Sequence, residues 1–292
     1  MKTNSVILLG LLAQGSAWAD TLINDTFADG SRTGGSLPGS AQWFTGGAAA
    51  NTYVTNNNAL VVSGLSGGGS VGQGVVASFM PNGGELNLQV GESIVLSFNY
   101  QYGATNSSDF GFGFGFYNSN GKPLTADGKG FNNALFNGWT GYSAFGVFGV
   151  DPSGLGRMHI AQRETTANNL MSPFTTGVLG PSTHQTDGST PNTWYSASLT
   201  LTYANPTKLL LTATIGAKTY STSTTPLTTG FDTVAITDGV PQTQDLEVSN
   251  VSVVTIPAEA PVPEPSTLAL GAAGLGIVRW ICWRRQHRTG GF

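Results

Sequence analysis

Residues able to do chemistry fall into three groups in this chain. The first lies near the C-terminus, where Val262, Pro263, Glu264 and Pro265 set one carboxylate between two prolines, ahead of an uncharged run from Leu268 to Val278. Proline lacks a backbone donor and holds its predecessor extended, so this segment has the accessible, strand-like shape that a processing enzyme grips. The second group is polar and aromatic. Ser97, Asn99 and Gln101 alternate along one stretch just ahead of Phe110-Gly111-Phe112-Gly113-Phe114-Gly115-Phe116, and Trp139 and Tyr142 follow. Hydroxyls and amides beside a strand bare of side chains offer hydrogen bonds to a flat ligand such as a sugar, and Trp139 or Tyr142 could stack on a pyranose face. The plainer alternatives are that a loop or neighbouring side chain packs over the glycines and that both rings are core. The third group holds the acid–base candidates. Asp245 and Glu247 are the nearest approach to paired carboxylates, and two acids at a strand start are more often solvent-facing. His159 and His184 each stand alone and read as structural. There is no Gly-x-Ser-x-Gly elbow, no His-Glu-x-x-His and no histidine cluster, so neither a serine hydrolase nor a zinc enzyme is indicated.

The elements that must position these residues are strands. From Ile94 to Tyr102 the apolar residues fall on one face and Val95, Ser97, Asn99 and Gln101 on the other. In the stretch from Phe110 to Phe116 a period of two sends four phenylalanines one way and three glycines the other, and four aligned rings must be core. Tyr53-Val54 and Ala59 to Val62 read as a hairpin, with Asn56 to Asn58 suited to left-handed turn positions. Further strands are expected at Thr21–Phe27, Val75–Met80, Arg157–Arg163, Trp194–Tyr203, Lys208–Thr214, Phe231–Thr237 and Leu246–Thr255. Arg32 to Gly47 reads as loop, with Trp43 and Phe44 as buried plugs or exposed aromatics, and His184 also falls in a loop.

Composition agrees. The 41 glycines, the abundant Thr, Ser and Asn, and a 10% share of charged residues favour short strands with many turns over helices. Between Asp20 and Pro263 fifteen acids face seven Lys and Arg, which argues against nucleic acid or anionic lipid as a partner. The one cysteine is Cys282, so no disulfide ties the body and packing must hold it. At the N-terminus, Lys2, the apolar run Val6–Leu12 and Ala17-Trp18-Ala19 have the order of a signal peptide, with signal peptidase cutting after Ala19. The chain divides into a signal peptide (1–19), one all-β domain (20–256), a Pro-rich linker (257–266), a single membrane helix (267–283) and a basic cytoplasmic tail (284–292). That helix spans roughly 25 Å, marginal against a hydrocarbon core of roughly 30 Å. Arg279 would snorkel, and Arg284, Arg285 and Arg288 would stay inside as a basic stop.

The order of motif, apolar segment and arginines closely resembles the PEP-CTERM sorting signal of Gram-negative bacteria. That resemblance implies export across the inner membrane, transient anchoring through the C-terminal helix, and cutting near the motif by an exosortase. The product would then reach the cell surface, extracellular matrix or medium. The body, from Asp25-Thr26-Phe27 through Phe110–Phe116 to Leu246–Val251, resembles the concanavalin-like lectin/glucanase jelly roll, also called LamG-like. This implies an antiparallel jelly-roll β-sandwich whose closing strand runs beside its first. Modules of this shape often tie their ends with calcium, which would make Asp25 and Asp29 its ligands; no other cofactor is implied. Glucanases of this shape carry Glu-x-Asp-x-Glu on one strand, and this chain has no such run. The expectation is therefore a non-catalytic protein that binds extracellular polysaccharide, with a purely structural matrix or adhesion role and a polysaccharide-active hydrolase or lyase as alternatives. The Thr200/Thr202 and Thr212/Thr214 pairs leave ice binding as a remote one.

Overall fold

Strict alternation in two long strands fixes where the core lies. In the computed structural model, β7 (Ser93–Tyr102) buries Ile94, Leu96, Phe98, Tyr100 and Tyr102, and β8 (Gly111–Asn118) buries Phe112, Phe114 and Phe116 against them. Phe98 meets Phe114 edge to face with centroids 5.1 Å apart, and Tyr100 lies tilted against Phe112 at 4.6 Å. The structure describes residues 19–45, 52–55, 57–63, 74–80, 83–103, 111–127, 134–147, 157–163, 170, 177–184, 190–238, 245–258 and 279–280.

The strands before β7 are β1 (Thr21–Asp25), β2 (Trp43–Thr45), β3 (Thr52–Val54), β4 (Leu60–Ser63), β5 (Gly74–Ser78) and β6 (Leu86–Asn87). After β8 come β9 (Thr140–Val147), β10 (Arg157–Arg163), β11 (Val178–His184), β12 (Tyr195–Asn205), β13 (Lys208–Ile215) and β14 (Lys218–Thr224). The last are β15 (Gly230–Phe231), β16 (Thr233–Asp238) and β17 (Asp245–Ile256). The larger sheet runs β14-β13-β12-β7-β17-β4-β3, with β1 also paired to β17. The smaller runs β11-β10-β9-β8-β16-β5-β2, and all pairings of both sheets are antiparallel. From β4 to β8 the long strands cross between sheets at each step, and the β16–β17 pair returns between them: β16 lies between β5 and β8, β17 between β4 and β7. That interleaving makes the sandwich a jelly roll. One core fills the space between the sheets. The first strand lies beside the last as expected, with Asp25 opposite Val251.

Local geometry follows the sequence signals. Asn58 takes φ 59° in the β3–β4 hairpin. Asn250 takes φ 52° at a bulge in β17, where one extra residue keeps Ser249 and Ser252 on the same side. The stretch expected as loop before Gly47 contains β2, with Trp43 fully buried. His184 ends β11, paired with Arg157, where a loop was expected. Three strands gave no clear signal: β9, whose glycines blur the alternation, β11, and β14, whose Lys-Thr-Tyr-Ser-Thr-Ser-Thr is mostly polar on both faces.

Trp18–Ala258 is one compact unit. Outside it only Arg279 and Trp280 are described, both helical. The residues of the expected signal peptide, among them Ala17, lie outside the described residues except Ala19, as do Val262, Pro263, Glu264, Pro265, the rest of the expected membrane helix, and Arg284, Arg285 and Arg288. Among the described residues no helix is long and apolar enough to cross a membrane.

Replacing Phe114 by Ala is expected to lower unfolding stability by about 3–5 kcal/mol, the usual cost of emptying a packed aromatic site. Gly115→Val is expected to destabilise comparably, since a side chain there runs into the carbonyl oxygen of Tyr142 and the backbone of Ser143 on β9. Urea denaturation of each variant checks both.

Candidate functional site

The outward face of the larger sheet is built from the residues that alternate with its core. On β7 these are Ser97, Asn99 and Gln101, and on β12 Ser196, Ser198, Thr200 and Thr202. Registry lines them up across strands. Thr219, Thr214, Ser198, Ser97 and Ser252 form one rank running over β14, β13, β12, β7 and β17, a hydroxyl on every strand at roughly 4.8 Å intervals. Next to it Ser221, Thr212 and Thr200 continue into Val95 and Val254. On the other side Ser196, Asn99 and Ser249 are in register. Several hydroxyls bond across strands: Thr214 with Thr219 at 3.0 Å, Thr212 with Ser221 at 2.9 Å, and Ser93 with Thr202 at 2.8 Å.

The end of this face near Gln101 is different. Gln101 Nε2 donates to Glu247 on β17 at 2.8 Å, Glu247 lies opposite Val61 on β4, and Val61 opposite Tyr53 on β3. Tyr53 is 47% exposed. On the far side, Trp194 precedes β12 by one residue and continues the series of Ser196, Ser198 and Thr200, 43% exposed. The chain still runs beside β7 there, because Asn192 N donates to Tyr102 O at 2.7 Å. An amide and a carboxylate are thus bracketed by two exposed rings four strands apart, roughly 19 Å. Neither ring was anticipated. Trp194 already opened the expected strand Trp194–Tyr203 and could have been found by following its alternation with Ser196 and Ser198; Tyr53 could not, since its strand is only three residues long.

The expected grouping of polar residues with the glycine strand and its aromatics does not form. β7 and β8 belong to different sheets, so Ser97, Asn99 and Gln101 face outward on one side of the sandwich and the glycines on the other. The glycine side is filled. A second cluster, with Val76, Phe136, Trp139, Phe145 and Leu170, packs on the outer face of the smaller sheet, and every residue from Gly111 to Tyr117 is buried. Arg163 holds this cover down, its guanidinium donating to the carbonyls of Phe136 (2.7 Å) and Trp139 (3.2 Å), and burial pulls its pKa below the ordinary value. Trp139 is 1% exposed and Tyr142 is wholly buried, so neither can stack on a ligand from solvent. Tyr142 instead faces the main core, its hydroxyl accepting from Leu227 N.

Asp25 and Asp29, expected as calcium ligands, have other work. Asp25 is buried, and its carboxylate accepts from Phe27 N (2.8 Å), Ala41 N (2.9 Å) and Trp43 Nε1 (2.9 Å). Asp29 accepts from Ser31 N and the Ser40 hydroxyl, both at 2.9 Å. Buried Asp25, its two oxygens taking three N–H donors, does not fit a cation site, and among the described residues no group of three acids, histidines or cysteines converges. His159 is buried beside Phe145, on the covered face of the smaller sheet.

Residues 261–286 match the PEP-CTERM protein-sorting motif. The chain is therefore an exported protein of the exosortase-sorted class. No curated protein matches it. Among solved structures, it is similar to peanut lectin (8% identity, TM-score 0.46, covering 82% of this chain and 98% of the lectin). It is also similar to a mutant of the alginate lyase Aly36B in complex with alginate trisaccharide (14% identity, TM-score 0.49, 82% and 98%) and to a Bauhinia forficata lectin in complex with GalNAc (12%, 0.45, 83% and 99%). Nothing those proteins bind is carried over from likenesses of this size.

Asp25→Ala would leave three N–H donors without their acceptor, at about 1–3 kcal/mol for each that stays buried. The variant is expected to lose at least about 3 kcal/mol of stability, whereas added calcium leaves the wild-type unfolding midpoint unchanged. Chemical denaturation with and without calcium reads both.

Proposed function

We propose that this exported protein binds extracellular polysaccharide without catalysing a reaction, through the outer face of its larger sheet. The observation that carries the reading is the run of uncharged hydroxyls and amides across five strands, ending at Gln101 and Glu247 between two exposed aromatic rings. Hydroxyls and amides donate and accept at once, which suits sugar hydroxyls, and rings with an exposed face suit the apolar side of a pyranose. A face running over five strands favours a chain over a single sugar. In this reading signal peptidase removes the leader after Ala19, the C-terminal helix anchors the chain in the inner membrane for a time, and exosortase processing near Pro263-Glu264-Pro265 delivers it to the cell surface, matrix or medium.

One observation favours a second reading. Asp245 and Glu247 alternate on β17, so both lie on the outer face beside Gln101, roughly 6.6 Å apart along the strand. Two carboxylates on one face of a strand are the kind of pair from which a polysaccharide-cleaving enzyme draws its acid and base. The threonine ranks, by contrast, are interrupted by Val95, Leu210 and Val254, which weakens the ice-binding reading.

Affinity electrophoresis through gels containing the host's own polysaccharide separates these readings. Asn99→Ala and Trp194→Ala are each expected to weaken retardation about tenfold, about 1.4 kcal/mol. Trp139→Ala is expected to lower stability while leaving the affinity of the folded fraction unchanged. No reducing ends should be released. Absence of retardation would leave a purely structural matrix protein, retardation indifferent to Asn99 and Trp194 would take the polysaccharide off the sheet face, and release of reducing ends lost in Glu247→Gln would make it an enzyme.

A further inference from the structure

The outer side of the smaller sheet carries a cleft of about 610 Å³ where β2 forms the sheet edge. Trp43 of β2 points into the core, so Phe44 points out and becomes part of the floor with Met80. One wall is the loop through Ser36, Leu37 and Gln42; the other is the segment from Pro123 to Thr125. The volume is that of an ordinary small-molecule site. Phe44 is half-buried, Leu37 reaches 36% exposure, and Ser36, Gln42 and Thr125 are exposed around them. None of the described residues lining the cleft is charged.

Both walls are held by carboxylates. Asp25 takes the N–H groups of Ala41 and Trp43, and Asp29 takes the hydroxyl of Ser40, so the first wall is tied to the strand behind it. The second wall ends at Asp127, which receives Arg32 in a two-pronged ion pair and also Thr45 N at 3.1 Å. Arg32 in turn reaches the carbonyls of Trp43 (2.7 Å) and Thr52 (3.1 Å). The start of that segment is tied through Ser119, whose N–H and hydroxyl both go to the buried Asp232. Arg32 holds the Asp127 carboxyl below the usual carboxylate range. The pair's contribution is therefore complete above the ordinary pKa of 3.8 and is lost only as pH falls through the lower folded value, so the wall stays pinned at neutral and mildly acid pH. Asp25, Asp29, Asp127 and Asp232 thus fix the backbone of both walls, which favours a preformed cleft.

We propose that this cleft is a second binding site, specific for a short neutral saccharide and facing away from the polysaccharide-binding sheet. The lining decides the ligand class. An anion or cation would find no counter-charge among the described lining residues, and a wholly apolar ligand would strand the exposed hydroxyls and amide of Ser36, Gln42 and Thr125. A pyranose presents an apolar ring face to Phe44 and a hydroxyl edge to that rim, satisfying both. The site does not depend on the sheet-face reading, and with it the protein would hold glycan on two opposite sides.

The test is saturation-transfer NMR on the exported protein with cellotriose, maltotriose and laminaritriose as neutral probes and trigalacturonate as the charged control. At least one neutral trisaccharide is expected to bind saturably, at least about tenfold more weakly to Gln42→Ala and Phe44→Ala and with unchanged affinity to Asn99→Ala, while trigalacturonate does not bind. Gln42 is exposed, so its variant decides the matter even where Phe44→Ala loses stability. The proposal is overturned if no neutral trisaccharide binds, if binding survives Gln42→Ala, or if trigalacturonate binds as well. Binding lost in Asn99→Ala alone would likewise overturn it and assign the saccharide to the sheet face.

Discussion

Everything in the sandwich depends on the contact between the aromatic inner faces of β7 and β8. These are consecutive long strands, yet they lie in different sheets, and it is the interdigitation of Phe98, Tyr100 and Tyr102 with Phe112 and Phe114 that holds the two sheets face to face. With no cysteine in the body, this packing carries what disulfides carry in many exported domains. The glycines alternating with those phenylalanines are the other half of the constraint. β9 approaches β8 so closely at Gly115 that a side chain there would meet backbone. The second cluster then seals the bare face with Phe136 and Trp139.

This division of labour decides which side chains are left for the outer face. Most of the large rings are spent on the two clusters, so the outer face of the larger sheet is finished with serine, threonine, asparagine and glutamine. Such a face is wet and uncharged over most of its width. Among the described residues, the exposed rings of this face are Trp194 and Tyr53, which sit at the margins where the alternating strands begin or the sheet ends. The sorting motif at 261–286 fits a protein whose work lies outside the cell.

Much of the fold was legible because period-two alternation survives wherever one face is core. β7, β8, β12, β13 and β17 all read correctly from apolar spacing, and the pairing of the first strand with the last followed from the family resemblance. The site was legible only in part. Ser97, Asn99 and Gln101 do face outward, but the sequence carries no signal that the chain crosses to the other sheet between Tyr102 and Gly111, so residues adjacent in sequence were grouped that the sandwich sets on opposite sides. Trp139 and Tyr142 could not be told from binding aromatics, because burial is decided by segments that pack from elsewhere. Asp25 looked like a metal ligand since an acid near a turn has the same local sequence whether it meets a cation or three N–H donors. The cleft was invisible for the same reason: its walls come from stretches some eighty residues apart.

The central claim is that polysaccharide lies on the outer face of the larger sheet. Hydroxyl-radical footprinting of the exported protein, with and without its host's polysaccharide, tests it most directly, since oxidation of an exposed ring falls when a ligand covers it. The account predicts that Trp194 and Tyr53 become protected together while Trp139, already buried, stays unlabelled in both states. Unchanged labelling of Trp194 and Tyr53 under saturating polysaccharide would contradict it.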